Sequence, residues 1–255
     1  MTTVSQNRDS FSTLRFIAER TMAMTFSVLK RPRVLPNEPA TQELVNWSAR
    51  VCCFSWIRHF STLLNGVVLL KDVGNTPSAI IVARSLYELG AHAYYVKKHF
   101  KQHIDAKDFE AAWNFLTPIA TGSRYMNEQY PETSEMFPTP AHISKIIKCF
   151  GEVLPNDAID NYSFLSEYCH PNTFAFSQHY RWLNPDEVAF VGHEAQGMFG
   201  ATTAACVMGL MAIQQMLSLT GEKQIAVTLK ETLLAVLKLE GVSEPSSDTS
   251  KEAED

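Results

Sequence analysis

The stretch AQGMFGATTAACVMGLMAIQQMLSLTG, residues 195–221, carries no charged side chain and is long enough to cross a bilayer. Gln196, Gln214 and Gln215, with several threonines and glycines, dilute its hydrophobicity. The stretch therefore reads as a central, small-residue helix over about 194–219, buried by its neighbours, rather than as a membrane span. That reading decides the fold, because the rest of the chain then supplies the helices that cover it. Gly221 closes this helix and another follows over 223–239.

Upstream, apolar residues recur at helical spacing. Phe11, Leu14, Ala18, Met22, Thr25 and Leu29 predict a first helix over 9–30, stopped by Arg31-Pro32-Arg33. A second is expected after Pro39, through Trp47, Val51, Phe54, Ile57 and Leu64 to about Leu70, with Gly66 a weak point. A third follows the turn at 72–77, capped by Thr76 with Pro77 in its first turn, and runs to about 103. Helices over 106–129 (weakened near Pro118 and Gly122), 139–153 and 156–170 complete the count, with 131–138 a loop. Residues 173–193 are aromatic-rich and alternate irregularly, which suits a short hairpin. The expectation is an all-α bundle of seven to eight helices over 1–240.

The chain has 255 residues, is 45% hydrophobic and 19% charged, and has a net charge of −5. Residues 240–255 hold Glu240, Glu244, Asp248, Glu252, Glu254 and Asp255 against Lys251, so they carry the whole of that charge. Residues 241–255 read as a disordered acidic tail. The body is neutral and sets up no field for nucleic acid or an anionic membrane, so nucleic acid is not the favoured partner and no membrane association is expected. Five cysteines without CxxC spacing, and an N-terminus with Arg8, Asp9 and Arg15 but no apolar run, point to a cytoplasmic protein with reduced thiols.

Two polar insertions interrupt the apolar helices. In the third helix, Arg84, Glu88, His92, Tyr95 and His99 recur at three and four residues and share one stripe, opposite Val82, Leu86, Leu89, Ala93 and Val96. One reading makes this stripe a solvated face with an exposed Arg84–Glu88 pair. The other makes it a site, with Arg84 binding a carboxylate or phosphate, Glu88 orienting it, and His92 and Tyr95 as ligand contacts. In the sixth helix, Tyr162, Ser166 and His170 fall on one stripe ahead of Pro171. His170 there either caps the helix or serves as a general acid or base, with Tyr162 and Ser166 as ligand-binding hydroxyls. His99 and His103 have a metal-compatible spacing but no acidic partner, so neither a metal nor a cofactor is assigned. Walker A, GxGxxG, EF-hand, kinase, CxxC and nucleophile-elbow patterns are absent from the sequence.

The RSLYE segment and the later Y-x-F-L-S-E-Y-x-H-P-N segment together resemble an uncharacterised family of bacterial helical proteins. The resemblance covers roughly 45–220 and rests on Arg84, Glu88, Tyr162, Ser166, His170 and Pro171. It implies an all-α cytoplasmic bacterial protein and brings no established reaction. More distantly, the chain is similar to the higher eukaryotes and prokaryotes nucleotide-binding domains, small bundles that include metal-independent ribonucleases of toxin and phage-defence systems. Their motif places a histidine four to six residues after an arginine, whereas here His92 follows Arg84 by eight.

The leading expectation is a helical binding or regulatory protein, a homo-oligomer or bound to a protein partner. Its third and sixth helices would pack side by side, so that Arg84 and Glu88 meet Ser166 and His170 around a small anionic ligand. The alternatives are a metal-independent ribonuclease, with His170 as acid or base, and a metal-dependent hydrolase using histidines and Glu88.

Overall fold

The computed structural model describes residues 10–33, 38–121, 141–154, 158–169, 180–190 and 198–241. Among these the chain forms eight helices and one hairpin: α1 Ser10–Met22, α2 Gln42–Asp72, α3 Thr76–Asp105, α4 Phe109–Thr121, α5 Ile143–Phe150, α6 Ala158–Glu167, β1 Tyr180–Asn184, β2 Glu187–Phe190, α7 Met198–Leu219 and α8 Lys223–Leu239. The all-α bundle is as expected. The hairpin also forms: β1 and β2 pair antiparallel, with Tyr180 opposite Phe190 and a register shift between Trp182 and Asn184.

Local chemistry sets most of the helix ends. The Thr41 side chain accepts from the Leu44 amide to start α2, and Asp108 accepts from the Ala111 amide to start α4. At α3 it is Asn75, not Thr76, that caps, taking the Ser78 amide at 3.3 Å. Thr76 is instead buried one position into the helix, where its hydroxyl accepts from Lys71. Gly74 and Gly221 lie at φ +78°, the left-handed conformation that releases the chain from α2 and α7.

The first helix is shorter than its periodicity suggests. It ends at Met22, and 24–33 leave the helix. Thr21, Thr25, Ser27 and Val28 are poor helix formers, and leaving the helix buries Met24 and brings Phe26 to 4.7 Å from Phe54 of α2. Pro118 lies inside α4, which the sequence marked as a weak point.

α3 is the axis of the molecule, packing against α2, α4, α5, α6 and α7, with its most extensive contact to α7. α7 is long and apolar enough to cross a membrane by length and hydropathy, and Ala205, Cys206, Leu210, Ile213, Met216 and Leu217 are fully buried against its neighbours. Glycine makes that approach feasible. A Cβ on Gly90 would run into the backbone carbonyl of Ala205, 2.8 Å from its carbon, and one on Gly209 would lie 2.7 Å from Gly90 Cα and 2.8 Å from the Phe60 ring. α2 and α3 form a helical hairpin, in register where Gly66 faces Val82 and where Trp56 meets His92. Gly66 therefore sits inside a continuous helix, where the absence of a side chain leaves room for Val82.

Candidate functional site

The α3 stripe is neither a solvated face nor a single site. Arg84, Glu88, His92 and His99 are half-buried and Tyr95 is buried, because α3 lies at the centre of the bundle and packs against five other helices. The stripe splits into three environments along its length. Arg84 reaches α6, Glu88 and His92 line a groove towards α2 and α5, and Tyr95 and His99 pack beneath α4.

At the first of these, α3 and α6 do pack side by side. Arg84 Nη2 donates to the Tyr162 hydroxyl at 3.0 Å, and the guanidinium lies 5.3 Å from the centre of the same ring. Cys169, just past the end of α6, also acts on the guanidinium and helps to hold its pKa up. Arg84 Nε lies 3.1 Å from Glu88 Oε1, but the N–H does not point at the oxygen. This contact is a close ion pair rather than an aligned hydrogen bond, and the buried Nε is left without a hydrogen-bond partner. Desolvation, the largest influence on Arg84, acts to lower its pKa. Cys169, the hydrogen bond to Tyr162 and the charge of Glu88 outweigh it together, and the net shift is upward. Three positions along, the Tyr87 hydroxyl donates to the Ala158 carbonyl at 3.0 Å, pinning the start of α6.

The groove holds about 590 Å³ between α2, α3 and α5. Trp56, Leu89, Ile143 and Ile146 give it apolar walls, and Ser55, His59, Ser85, Glu88 and His92 bring polar atoms to it. The Trp56 and His92 rings are 5.8 Å apart. Burial pushes the His92 imidazole below its ordinary range, so it is neutral at pH 7. A second hollow of about 500 Å³ shares Ser55 and His59 and continues along α2 to Phe26, Phe54, Arg58 and Thr62. A volume of this size can take a small organic molecule.

The remaining expected site residues fall elsewhere. Tyr95 is packed edge-on against His99, 4.5 Å between centres, with Lys145 over its other surroundings at 5.8 Å and Phe115 at 6.1 Å. It is a packing residue, away from the groove lining. Burial first, then the charges of Lys145 and Lys98, holds His99 below the ordinary histidine range. Tyr162 is the acceptor for Arg84. Ser166 donates to the Tyr162 carbonyl at 2.7 Å and so turns back onto its own helix. His170 and Pro171 lie outside the described residues, as do the expected loop at 131–138 and the acidic tail beyond residue 241. Among the described residues no group of three or more His, Cys, Asp or Glu side chains is placed to hold a metal ion.

Sequence reasoning overlooked the α2 wall. Trp56 was hidden among apolar neighbours, and Ser55 and His59 share the exposed polar face of α2 with Arg58 and Thr62, so no local signal set them apart. Comparison of the chain with protein-family models, curated proteins and solved structures finds no match. The functional reading therefore rests on the groove itself.

Proposed function

We propose that this is a helical ligand-binding protein whose site is the groove between α2, α3 and α5. The observation that carries the reading is the convergence of Glu88 and His92 with Ser55, His59 and Ser85 beside the apolar walls of Trp56, Leu89, Ile143 and Ile146. Arg84 is a positioning residue in this scheme. It holds α6 to α3 through Tyr162 and steadies Glu88 from behind, so the guanidinium organises the site rather than meeting the ligand.

A cytosolic setting fits this reading. All five cysteines are free, Cys52, Cys53 and Cys206 are buried, and burial pushes Cys52 up to about 11 and the other two upward as well, which keeps these thiols protonated and unreactive.

The test is a ligand-observed NMR screen of small organic fragments against the wild type and Ser85→Trp. Ser85 is exposed and lines the groove, so an indole there fills it without disturbing the core. Fragments that bind the wild type should lose binding to Ser85→Trp. A set of hits untouched by that substitution would place the site elsewhere.

A further inference from the structure

Taking the groove as the binding site, we infer that its ligand is a small organic amine, held as a cation beside Glu88 with its apolar body against Leu89, Ile143 and Ile146. Glu88 is the one carboxylate among the lining side chains, and no lysine or arginine lies among them. Arg84 approaches Glu88 at Oε1 with a poorly aligned N–H, and the Glu88 side chain keeps 32% of its surface exposed. The carboxylate thus retains capacity for a charged donor, the strongest kind of hydrogen-bond partner it can take.

The surroundings suit an ammonium group. Ser55 and Ser85 offer hydroxyl oxygens that accept from N–H, and His92 adds no positive charge at pH 7. Trp56 presents an indole, the ring that best attracts a cation. An anion would meet the opposite conditions. It would have to lie beside Glu88, and the nearest guanidinium, Arg84, is already engaged with Tyr162 and Cys169. Arg58 belongs to the adjoining hollow, where it lies 4.8 Å over the Phe26 ring.

The experiment compares three probes of one shape: 4-phenylbutylamine, 4-phenylbutan-1-ol and 4-phenylbutyrate. Each is titrated by calorimetry into the full chain, into Ser85→Trp and into Glu88→Gln, which keeps the side-chain shape and removes the charge. The amine is expected to bind roughly two- to fivefold more tightly than the alcohol, the scale of one partly screened ion pair. The butyrate should bind most weakly, and the amine's advantage should shrink at high salt. In Glu88→Gln the amine and alcohol should bind alike, and Ser85→Trp should abolish binding of both.

If the alcohol binds as well as the amine in a manner that Ser85→Trp blocks, the groove reading stands and the amine inference is overturned. Tighter binding of the butyrate overturns it in favour of an anionic ligand. If the amine's preference persists in Glu88→Gln, the charge assigned to Glu88 is wrong. No binding of any probe overturns the inference together with the groove reading beneath it.

Discussion

α3 makes two unlike seams. Against α7 it is dry and close: Gly90 and Gly209 let the backbones meet, and fully buried apolar side chains fill the remaining space. Against α6 it is held by polar contacts, Arg84 to Tyr162 and Tyr87 to Ala158, with few apolar residues beneath them: α6 buries only Ala158 and Leu165 among its described residues. The first seam depends on shape, where a single added methyl has no place to go. The second depends on hydrogen bonds that cost little to exchange with water and contribute on the order of 1 kcal/mol each. α7 should therefore open only with the whole molecule, whereas α6 should be able to open alone.

The sharpest challenge to this contrast is Gly90→Ala. Alanine favours a helix over glycine by about 1 kcal/mol, but the new Cβ meets the Ala205 backbone, which cannot move aside as a flexible side chain would. The clash wins. We expect a loss of about 3 kcal/mol in urea unfolding and a fall in Tm on the order of 10 °C. A neutral or stabilised variant would show that the α3–α7 seam is looser than described.

Arg84→Met comes next. It keeps an unbranched apolar stem and removes the donors, and should cost about 1–2 kcal/mol. Hydrogen exchange of α6 amides should rise by roughly tenfold while α7 amides keep their protection. Equal loosening of both helices would mean the seams are not independent. Tyr87→Phe removes the hydroxyl that donates to Ala158, for about 0.5–1.5 kcal/mol, again with exchange expected to rise at the start of α6.

Acid should produce the smallest effect, and away from both seams. His92 and His99 have their pKa lowered in the folded state, by burial in both and by Lys145 and Lys98 as well for His99. Well above pH 6.5, their ordinary value, both are neutral folded and unfolded, so no penalty exists. As pH falls below that value the unfolded chain takes up protons that the folded one refuses, and stability declines until the lowered folded values are reached. Urea midpoints at pH 7.5 and 5.5 should differ less in His92→Gln than in the wild type, and an unchanged difference would remove His92 from this account.

The sequence made the helices legible, and one consequence of their packing. Periodicity marked α2, α3, α7 and α8 to within a few residues, because long amphipathic or apolar segments with capping residues leave little choice. It failed at α1, whose apolar repeat continues past Met22 while the chain itself turns to reach Phe54, a tertiary contact that no local pattern encodes. That Arg84 reaches the sixth helix was also legible, since polar groups in apolar helices must find partners, but its partner there, Tyr162 rather than Ser166, was not.

The amino-acid sequence alone was enough to place an uncharged core helix ending at Leu219, and to show that two helices carry polar groups in need of partners. Only the tertiary structure decided which partners they found. Arg84 met Tyr162 and Cys169, Ser166 met its own backbone, and Glu88 and His92 met Ser55, Trp56 and His59 across a groove. The physical reason is that a helical stripe fixes which residues share a face but not what that face is pressed against. On α3 the stripe spans several helical turns, and along that length four other helices take their turn beside it.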